Sequence, residues 1–259
     1  MPAIDWQNSA AATLKARVAA AGIVGMGGAA FPSAVKLSPP PEKKIDVLVI
    51  NAAECEPYLT ADHRLMVEEA EKVVIGTAIL GKILGVKEMW IGVEVNKPDA
   101  IEALEKYADT YGVKVAHLKV QYPQGSEKQL IHAITKRVVP AGGLPMDAGC
   151  VVQNVGSACA VTEAVVNGLP LVERVTSITG EVVKNPGNWR LRIGTPVIKA
   201  IELAGGVTRQ PGKLILGGPM MGFAQRTSLV PVCKNTSGIL LLPPELSVEY
   251  SNGSCIRCG

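Results

Sequence analysis

The stretch Ile45–Pro57, IDVLVINAAECEP, decides the fold. Its first part, Ile45–Ile50, is a short apolar run rich in β-branched residues, which is typical of a strand buried in a sheet. The loop Asn51–Thr60 follows at once, and Asp62 is predicted to cap a helix that runs to about Leu84. A buried strand that leads into a helix begins a strand–helix–strand unit, so this stretch favours a parallel sheet.

Strands and helices continue to alternate toward the C-terminus. The predicted order is a strand at Glu88–Val95, a helix at Pro98–Tyr111, a strand at Val113–Val120, a helix at Glu127–Lys136, an extended piece at Val151–Val155 and a helix at Ser157–Asn167. This alternation predicts an α/β fold, in which a parallel sheet carries helices on both faces.

The pattern changes after residue 170. Leu171–Val183 alternates apolar and polar residues, as half-exposed strands do, and Asn185–Asn188 (NPGN) predicts a turn. A strand at Arg190–Ile193, a helix at Thr195–Ala204 and a strand at Lys213–Leu216 are predicted to follow. This block forms a small β-rich module that Gly217–Gly222 (GGPMMG) ends, and Ser237–Leu242 is expected to return to the main sheet.

Composition bounds the classes of function. The 259 residues are 47% hydrophobic and 19% charged, enough apolar material for one large domain or two modest ones. The net charge of +3 comes without a cluster of Lys and Arg, so no nucleic-acid partner is expected. No signal peptide and no membrane-spanning apolar window is found. We therefore expect a soluble, cytoplasmic chain, which leaves docking on a membrane complex open.

Gly22–Pro32, GIVGMGGAAFP, is a glycine-rich segment, here called the glycine loop. Gly25–Ala30 fits the G-x-G-x-x-A fingerprint of dinucleotide-binding folds, but that fingerprint needs a preceding strand, whereas a helix is predicted at Ser9–Ala21. Glycines still let backbone N–H groups approach a phosphate or a flat ring, and Lys36 can add a positive charge. The alternative is a tight connection that binds nothing.

Asn51–Thr60, here called the acidic loop, carries Asn51, Glu54 and Glu56 directly after the first predicted strand. Ligands of parallel sheets bind at the carboxyl ends of strands. Two carboxylates and an amide in that position can hydrogen-bond ribose hydroxyls or polar ring edges. The alternative is an exposed turn with solvated acids.

Cys255 and Cys258 form a C-x-x-C pair, whose thiolates can ligate one metal centre. Half of an iron–sulfur ligand set, half of a zinc site and a redox dithiol all remain open, although no βαβ pattern surrounds the pair as a thioredoxin-like dithiol would require. The other cysteines are scattered and are interpreted as small apolar residues.

Four motifs occur together in the order and spacing found in the C subunits of Rnf electron-transport complexes, which the chain resembles from Trp6 onward. They are Gly25–Pro32 (GMGGAAFP), Asn51–Pro57 (NAAECEP), Tyr122–Leu130 (YPQGSEKQL) and Cys255–Gly259 (CIRCG). Val182–Gly194 and Gly217–Gly222 match the family's following module. A weaker resemblance extends to the flavin subunit of respiratory complex I, although Ala53 stands where that subunit has aspartate and Gln153 where it has asparagine.

The resemblance implies the organisation of the chain. Residues 1–170 would form an FMN- and NADH-binding α/β domain like that of the complex I flavin subunit, and residues 171–222 a β-grasp (SLBB-like) module. Residues 223–250 would return to the main domain, and residues 251–259 would begin a 4Fe–4S ferredoxin-like domain. We expect a fragment, without the family's N-terminal sandwich module and two-cluster domain.

The resemblance also implies site residues. The FMN would be bound by Gly25, Gly27, Gly28, Lys36, Asn51, Glu54, Gln153 and Asn154, of which Asn51 and Glu54 hold its ribityl chain and ring edge and the last two approach its phosphate side. The catalytic group would be Phe31, Glu54 and Glu56, with Phe31 and Glu56 facing the nicotinamide nucleotide. Cys255 and Cys258 resemble the first two ligands of a [4Fe–4S] cluster.

The implied function is electron transfer. NADH would reduce FMN, and 4Fe–4S clusters would pass the electrons to other subunits of an ion-translocating membrane complex, with the protein bound peripherally on the cytoplasmic side. One alternative is a related flavoprotein that serves cobalamin reduction or an amino-acid reductase. Another is a non-catalytic docking subunit that uses the β-grasp module.

Overall fold

The computed structural model describes residues 1–247, and these form two sheets with separate hydrophobic cores. The first domain consists of α1 (Ala11–Ala20), α2 (Ser33–Lys36), β1 (Val47–Ala52), α3 (Ala61–Glu68), α4 (Ala70–Leu84), β2 (Glu88–Glu94), α5 (Pro98–Ala108), β3 (Lys114–Leu118), α6 (Glu127–Thr135), β4 (Cys150–Asn154) and α7 (Val155–Val166). Short 3₁₀ turns occur at Asp109–Tyr111 and Pro145–Ala148.

The sheet of the first domain has the order β3-β2-β1-β4, and all three pairings are parallel. The prediction of an α/β fold with a parallel sheet is therefore confirmed. β1 lies inside the sheet, which explains why its sequence is almost wholly apolar.

Successive side chains of β1 enter two different cores. Leu48 and Ile50 are fully buried against the helices of one face, which include α1, α4 and α7. Val47 and Val49 face the other side, where Leu130 of α6 is also fully buried. Because side chains alternate along a strand, helices on both faces bury all four, and β1 needs no polar face.

A close helix contact of the first domain joins α4 to α7. A Cβ added at Gly76 of α4 would collide with the carbonyl oxygen of Ala158 in α7. Thr162 of α7 donates a hydrogen bond to the carbonyl oxygen of Lys72 at 2.6 Å. A residue without a side chain thus sets the distance between these helices.

The predicted helix from Asp62 to Leu84 is wrong in two respects. Two helices occupy this stretch, because Glu69 leaves the helical conformation with φ −129° and ψ 29°. The cap is Thr60 and not Asp62, which lies in the first turn of α3. Tertiary contacts outweigh local preference here: Glu69 pairs with Lys72 and with Arg190 of the second domain.

The second domain is built on a mixed sheet. Its elements are β5 (Glu173–Thr179), β6 (Gly187–Arg192), α8 (Val197–Leu203), β7 (Lys213–Leu216), β8 (Phe223–Gln225) and β9 (Gly238–Leu242), and a 3₁₀ turn at Pro244–Leu246 follows. The sheet order is β6-β5-β9-β7-β8, with β5 and β9 parallel and the other pairs antiparallel. A small β-rich module after residue 170 is thus confirmed.

The prediction that Ser237–Leu242 returns to the main sheet is wrong. β9 lies in the second sheet between β5 and β7, and all five of its residues are buried. A continuous apolar run fits an interior strand of either sheet, so composition alone does not assign it. The predicted domain boundaries themselves stay predictions.

Hydrogen bonds and ion pairs join the two domains. The backbone N–H of Thr60 donates to Ser177 Oγ at 3.0 Å, and Asn188 Nδ2 donates to Thr60 Oγ1 at 2.8 Å. Tyr58 donates its hydroxyl proton to Glu181.

Within residues 1–247, every helix is too short or too polar to cross a bilayer.

Candidate functional site

The carboxyl ends of β1 and β4 lie where the strand order of the first sheet reverses. β2 and β3 lie on one side of β1, whereas β4 lies on the other. Asn51 of β1 is opposite Asn154 of β4 in the parallel register. Ligands of open α/β sheets bind at such a point, because the connections diverge there. We call the space between these strand ends, the glycine loop and the acidic loop the switch-point crevice.

The glycine loop is a narrow turn that closes on itself. Val24 and Pro32 form an antiparallel bridge, and the N–H of Gly25 donates to the carbonyl oxygen of Phe31 at 2.8 Å. Gly28 has a φ of 143°, which glycine adopts far more readily than other residues. Apart from Gly28 and its two chain neighbours, no residue from 1 to 247 has an atom within 4 Å of where its Cβ would be. Phe31 is 47% exposed. The loop therefore presents bare backbone and one accessible aromatic ring.

The glycine loop is fixed onto the start of α7. The N–H of Met26 donates to Ser157 Oγ at 3.0 Å, and this hydroxyl donates to the carbonyl oxygen of Val24 at 2.8 Å. A Cβ added at Gly27 would lie 3.2 Å from Asn154 Nδ2. The structure thus brings together Gly27 and Asn154, two residues that the sequence assigned to one site.

Gln153 and Lys36 both lie near the end of β4. The Gln153 side chain is buried and accepts a hydrogen bond of 3.5 Å from Ser33, whereas its Nε2 finds no acceptor among residues 1–247. Lys36 Nζ donates to the carbonyl oxygen of Val152 at 3.1 Å and pairs with Glu127 at 2.6 Å. The sequence pointed to Lys36 but not to Glu127.

Asn51 connects the acidic loop to the segment before α6. Its Nδ2 donates to the carbonyl oxygen of Gly125 at 2.7 Å, and its Oδ1 accepts from the N–H of Ala53 at 3.2 Å. Any side chain at Gly125 would collide with the carbonyl oxygen of Ala53. This close approach gives a physical reason for glycine in the Tyr122–Leu130 motif.

Glu54 and Asp62 form a pair of partly buried acids beside the crevice. Glu54 Oε1 and Oε2 accept from the N–H groups of Asp62 and His63, at 3.0 and 3.2 Å, in the first turn of α3. Asp62 Oδ2 accepts from Asn154 Nδ2 at 2.6 Å. Asn154 in turn accepts from the N–H of Gly156 and so caps α7. The sequence identified Glu54 but gave Asp62 only a capping role.

Loss of solvent shifts the ionisation of both acids. Desolvation, followed by the nearby charge of Asp62, raises the pKa of Glu54 to about 7, against the opposing effect of the two backbone N–H groups and of Lys97. Desolvation also raises the pKa of Asp62, whereas the hydrogen bond from Asn154 and the charges of Arg174 and Lys97 oppose it. The crevice therefore has an acid beside it that can exchange a proton near neutral pH.

Two buried bases balance these acids, and sequence reasoning missed both. Arg174 of β5 is 3% exposed, and burial lowers its pKa to about 10 against the charges of Asp62 and Glu54. Lys97 Nζ donates to Glu94 at 3.2 Å and to the carbonyl oxygen of Glu54 at 3.4 Å. One signal for Arg174 was available: alternation places it on the same face of its strand as Ile178, which is fully buried.

Glu56 contacts the second domain. Its Oε2 accepts from the N–H of Met220 at 3.2 Å and its Oε1 from the N–H of Met221 at 2.6 Å. A Cβ added at Gly218 would collide with the Glu56 carboxylate. The GGPMMG segment is thus bound by the acidic loop, and the role of Glu56 toward a nucleotide stays a prediction.

The residues present suit a flavin nucleotide better than a metal ion. Three kinds of group that can hold a phosphate and a polar ring meet at the strand switch point. They are bare glycine backbone, desolvated acids and an amide donor that has no acceptor among residues 1–247. Within residues 1–247, no three His, Cys, Asp or Glu side chains assemble as metal ligands. Cys255 and Cys258 lie outside the described residues, so their predicted role as ligands stays a prediction.

Curated relatives match nearly the whole chain. The C subunit of the proton-translocating ferredoxin:NAD(+) oxidoreductase complex of Clostridium ljungdahlii is 51% identical over 255 residues, which cover 98% of this chain and 56% of that protein. The C subunit of the Na(+)-translocating complex of Acetobacterium woodii is 52% identical over 247 residues, with coverages of 95% and 56%. The resemblance to Rnf C subunits is confirmed, and the chain spans little more than half the length of these relatives.

A solved structure and two family models agree with the fold. The crystal structure of an NAD+-reducing [NiFe]-hydrogenase in the H2-reduced state superposes with a TM-score of 0.75 at 20% identity, covering 91% of this chain and 47% of that chain, which shows likeness in fold. The SLBB domain model matches residues 175–224, and the Nuo51 FMN-binding domain model matches residues 18–163. Because the latter match takes in more than half of the chain, the chain belongs to the Nuo51 FMN-binding domain family.

Proposed function

We propose that the switch-point crevice binds FMN and that this chain is the flavin-carrying core of the C subunit of an ion-translocating ferredoxin:NAD(+) oxidoreductase. The family match and the names of the relatives support an oxidoreductase role in electron transfer. One observation carries the proposal to this crevice: the buried Gln153 amide, which has no acceptor among residues 1–247, is hydrogen-bonded to Ser33, and Ser33 directly follows the glycine loop.

The FMN phosphate would be held by uncharged donors and one cation. The backbone of Gly27 and Gly28 would offer N–H groups, and Gly25 closes the turn that presents them. The Gln153 amide, which finds no acceptor in the part of the chain that the structure describes, would donate a proton. Lys36 adds a positive charge, which Glu127 partly neutralises. The ribityl hydroxyls and the ring edge would meet Asn51 and Glu54, and Asn154 would approach the phosphate side together with Gln153.

Bound FMN would supply the redox chemistry, because it can take two electrons with a hydride and release them singly. The chain's own residues would position the reactants. Phe31 offers an accessible ring on which a nicotinamide nucleotide can stack. The Glu54 carboxyl, with its pKa near 7, would hold or release a proton beside the crevice. Glu56 would orient the nucleotide or the GGPMMG segment that it binds.

We propose that Cys255 and Cys258 supply two of the four thiolates of a [4Fe–4S] cluster, in the arrangement that the C-x-x-C spacing allows. The partners would be the other subunits of a membrane complex, on whose cytoplasmic side this protein would be bound peripherally.

Anaerobic titration tests the proposal. The purified chain is mixed with FMN, and binding is followed by the quenching of flavin fluorescence. NADH is then added, and the loss of the flavin's visible absorption band is recorded. We expect stoichiometric FMN binding and bleaching by NADH. Unquenched flavin fluorescence, with a chain that is colourless once free FMN has been removed by gel filtration, would contradict the flavin assignment. Bound FMN that NADH does not bleach would contradict the choice of donor.

A further inference from the structure

We propose that Arg174, which the second domain contributes, is a positioning residue of the flavin site: it holds the glycine loop at Met26 and balances the carboxylate of Asp62. The inference rests on the proposed function and deepens it. Because Arg174 belongs to the second domain, the β-grasp module becomes a structural part of the crevice.

Arg174 contacts the glycine loop directly. Its Nη1 donates to the carbonyl oxygen of Met26 at 3.3 Å and to that of Lys234 at 2.6 Å. Met26 directly precedes Gly27, whose backbone packs against Asn154. One guanidinium therefore joins the loop of the first domain to the chain that enters β9. Because the donors of a guanidinium lie in one fixed plane, this bridge also fixes the orientation of the glycine loop relative to the chain that enters β9.

Arg174 also supplies charge to Asp62. The Asp62 carboxylate is desolvated, and its Oδ2 is bound by the Asn154 amide, which is a neutral donor. A desolvated carboxylate without compensation is costly, so nearby positive charge is needed to keep it ionised. The charges of Arg174 and Lys97 both act on Asp62, and Lys97 is already engaged by Glu94.

Both effects of Arg174 meet at Asn154. Asp62 accepts the hydrogen bond of Asn154 Nδ2, which leaves Oδ1 of the same amide to cap Gly156. Loss of the Asp62 charge would weaken the force that orients this amide. Loss of the contact between Arg174 and Met26 would free the glycine loop, which packs on Asn154. Arg174 thus acts on the crevice through the loop and through the amide.

Additional contacts between the domains fit this arrangement. Lys234 donates through Nζ to the carbonyl oxygen of Gly22, and Asn235 Nδ2 donates to that of Gly28 at 3.1 Å. Together with Arg174, these side chains give the glycine loop three tethers at Gly22, Met26 and Gly28. All three tethers come from the second domain.

The test compares Arg174→Met and Arg174→Lys with the control Arg190→Met. Arg190 lies on β6 and pairs with Glu69 and Glu173, both outside the glycine loop. We expect Arg174→Met to weaken FMN binding by roughly tenfold or more, because the desolvated Asp62 carboxylate loses the positive charge that balances it. Arg174→Lys keeps the charge and should recover part of the affinity, whereas Arg190→Met should bind FMN within about threefold of the parent.

Hydrogen exchange without flavin gives a second, independent measurement. In Arg174→Met, the amides of Gly25 and Met26, which are hydrogen-bonded to Phe31 and Ser157 in the parent, should exchange faster than in the parent, and in Arg190→Met they should not. Unchanged loop exchange together with unchanged FMN affinity would overturn the proposal. If the parent binds no FMN but Arg174→Met still loosens the loop, the proposed function fails, whereas the part of the inference that Arg174 holds the glycine loop at Met26 stands.

If Arg174→Met does not fold, a double variant tests the same bridge. Arg174→Met combined with Asp62→Asn removes the buried base together with the acid that it balances. We expect the double variant to fold and still to show fast exchange at Gly25 and Met26, because the bridge to the loop is missing. Parent-like exchange in that folded variant would contradict the bridge.

Discussion

At the scale of single residues, Gly27 has little room to change. An added Cβ would lie 3.2 Å from Nδ2 of Asn154 and 3.4 Å from its Cβ and Cγ. Gly27→Val adds two more carbons in that space, so either the loop or the Asn154 side chain must move. We expect FMN affinity to fall by at least roughly tenfold, measured by fluorescence titration.

The matched control for Gly27 is Gly187→Val in β6. There the nearest atom to an added Cβ is Trp189 Nε1 at 3.8 Å, an ordinary contact, and the residue lies in the second sheet. FMN affinity should be unchanged in this variant. If Gly27→Val bound FMN as tightly as Gly187→Val, the glycine loop would not be the flavin site.

The raised pKa of Glu54 predicts how the free energy of unfolding depends on pH. Its pKa is raised from the usual 4.5 to about 7, so between these values the folded chain keeps a proton that the unfolded chain gives up. The free energy of unfolding should therefore fall, by about 1 to 3 kcal/mol, as the pH rises from about 5 to 8. The raised pKa of Asp62 acts in the same direction.

Urea unfolding of the flavin-free protein at several pH values measures this dependence. Glu54→Gln removes the titrating group, so its stability should change less over the same range. Glu68→Gln serves as a control, because that carboxylate is exposed on α3 and pairs with Arg64 four residues earlier. An equal slope in the parent and in Glu54→Gln would show that Glu54 does not titrate in this window.

At the scale of elements, the contact of α4 with α7 depends on Gly76. An Ala side chain there would collide with the carbonyl oxygen of Ala158, which is rigid helix backbone. Although Ala favours a helix over Gly by about 1 kcal/mol, the helices must separate. We expect Gly76→Ala to lower the free energy of unfolding by roughly 2 kcal/mol or more, as seen in urea titrations.

Gly81→Ala in the same helix provides the comparison. An added Cβ would collide there with Met89, whose flexible side chain can take another rotamer. Helix propensity and the collision should then nearly cancel, and stability should change by less than about 1 kcal/mol. Equal losses in both variants would mean that the helices are not held at the distance the structure gives.

Elements were predictable where one local pattern decides them. The apolar run of β1 and the alternation that follows it identified the parallel sheet and most of its helices. The break between α3 and α4 at Glu69 was not predictable, because the ion pair of Glu69 with Arg190 joins segments far apart in sequence. The placement of β9 failed for a related reason: an apolar run gives no information about which sheet contains it.

The candidate site was predictable only in part. Motifs identified residues on the loops themselves, such as Gly27, Asn51 and Glu54, and the structure places these around one crevice. Motifs did not identify Asp62 or Arg174 as site residues, because a desolvated charge is recognised by its partners and these come from separate elements. The roles of the site residues toward FMN and NADH stay predictions.

At the scale of the whole molecule, β9 should decide whether the second domain folds. A chain that ends at residue 236 lacks the interior strand between β5 and β7, so their edges and the buried residues beside them are exposed. We expect this chain to lose cooperative unfolding of the second domain, measured by circular dichroism and hydrogen exchange. A chain that ends at residue 247 keeps β9 and should unfold like the parent. A shorter chain as stable as the longer one would contradict the sheet order.

The central place of β9 also determines the order in which the two sheets can fold during synthesis. The first sheet is finished once residue 154 has left the ribosome, and its final helix follows within twelve residues. The second sheet must wait until residue 242 emerges, so β5 and β7 remain without their common neighbour for many codons. A nascent chain stalled in that interval would carry a completed α/β unit and two unsatisfied strand edges, which chaperones recognise.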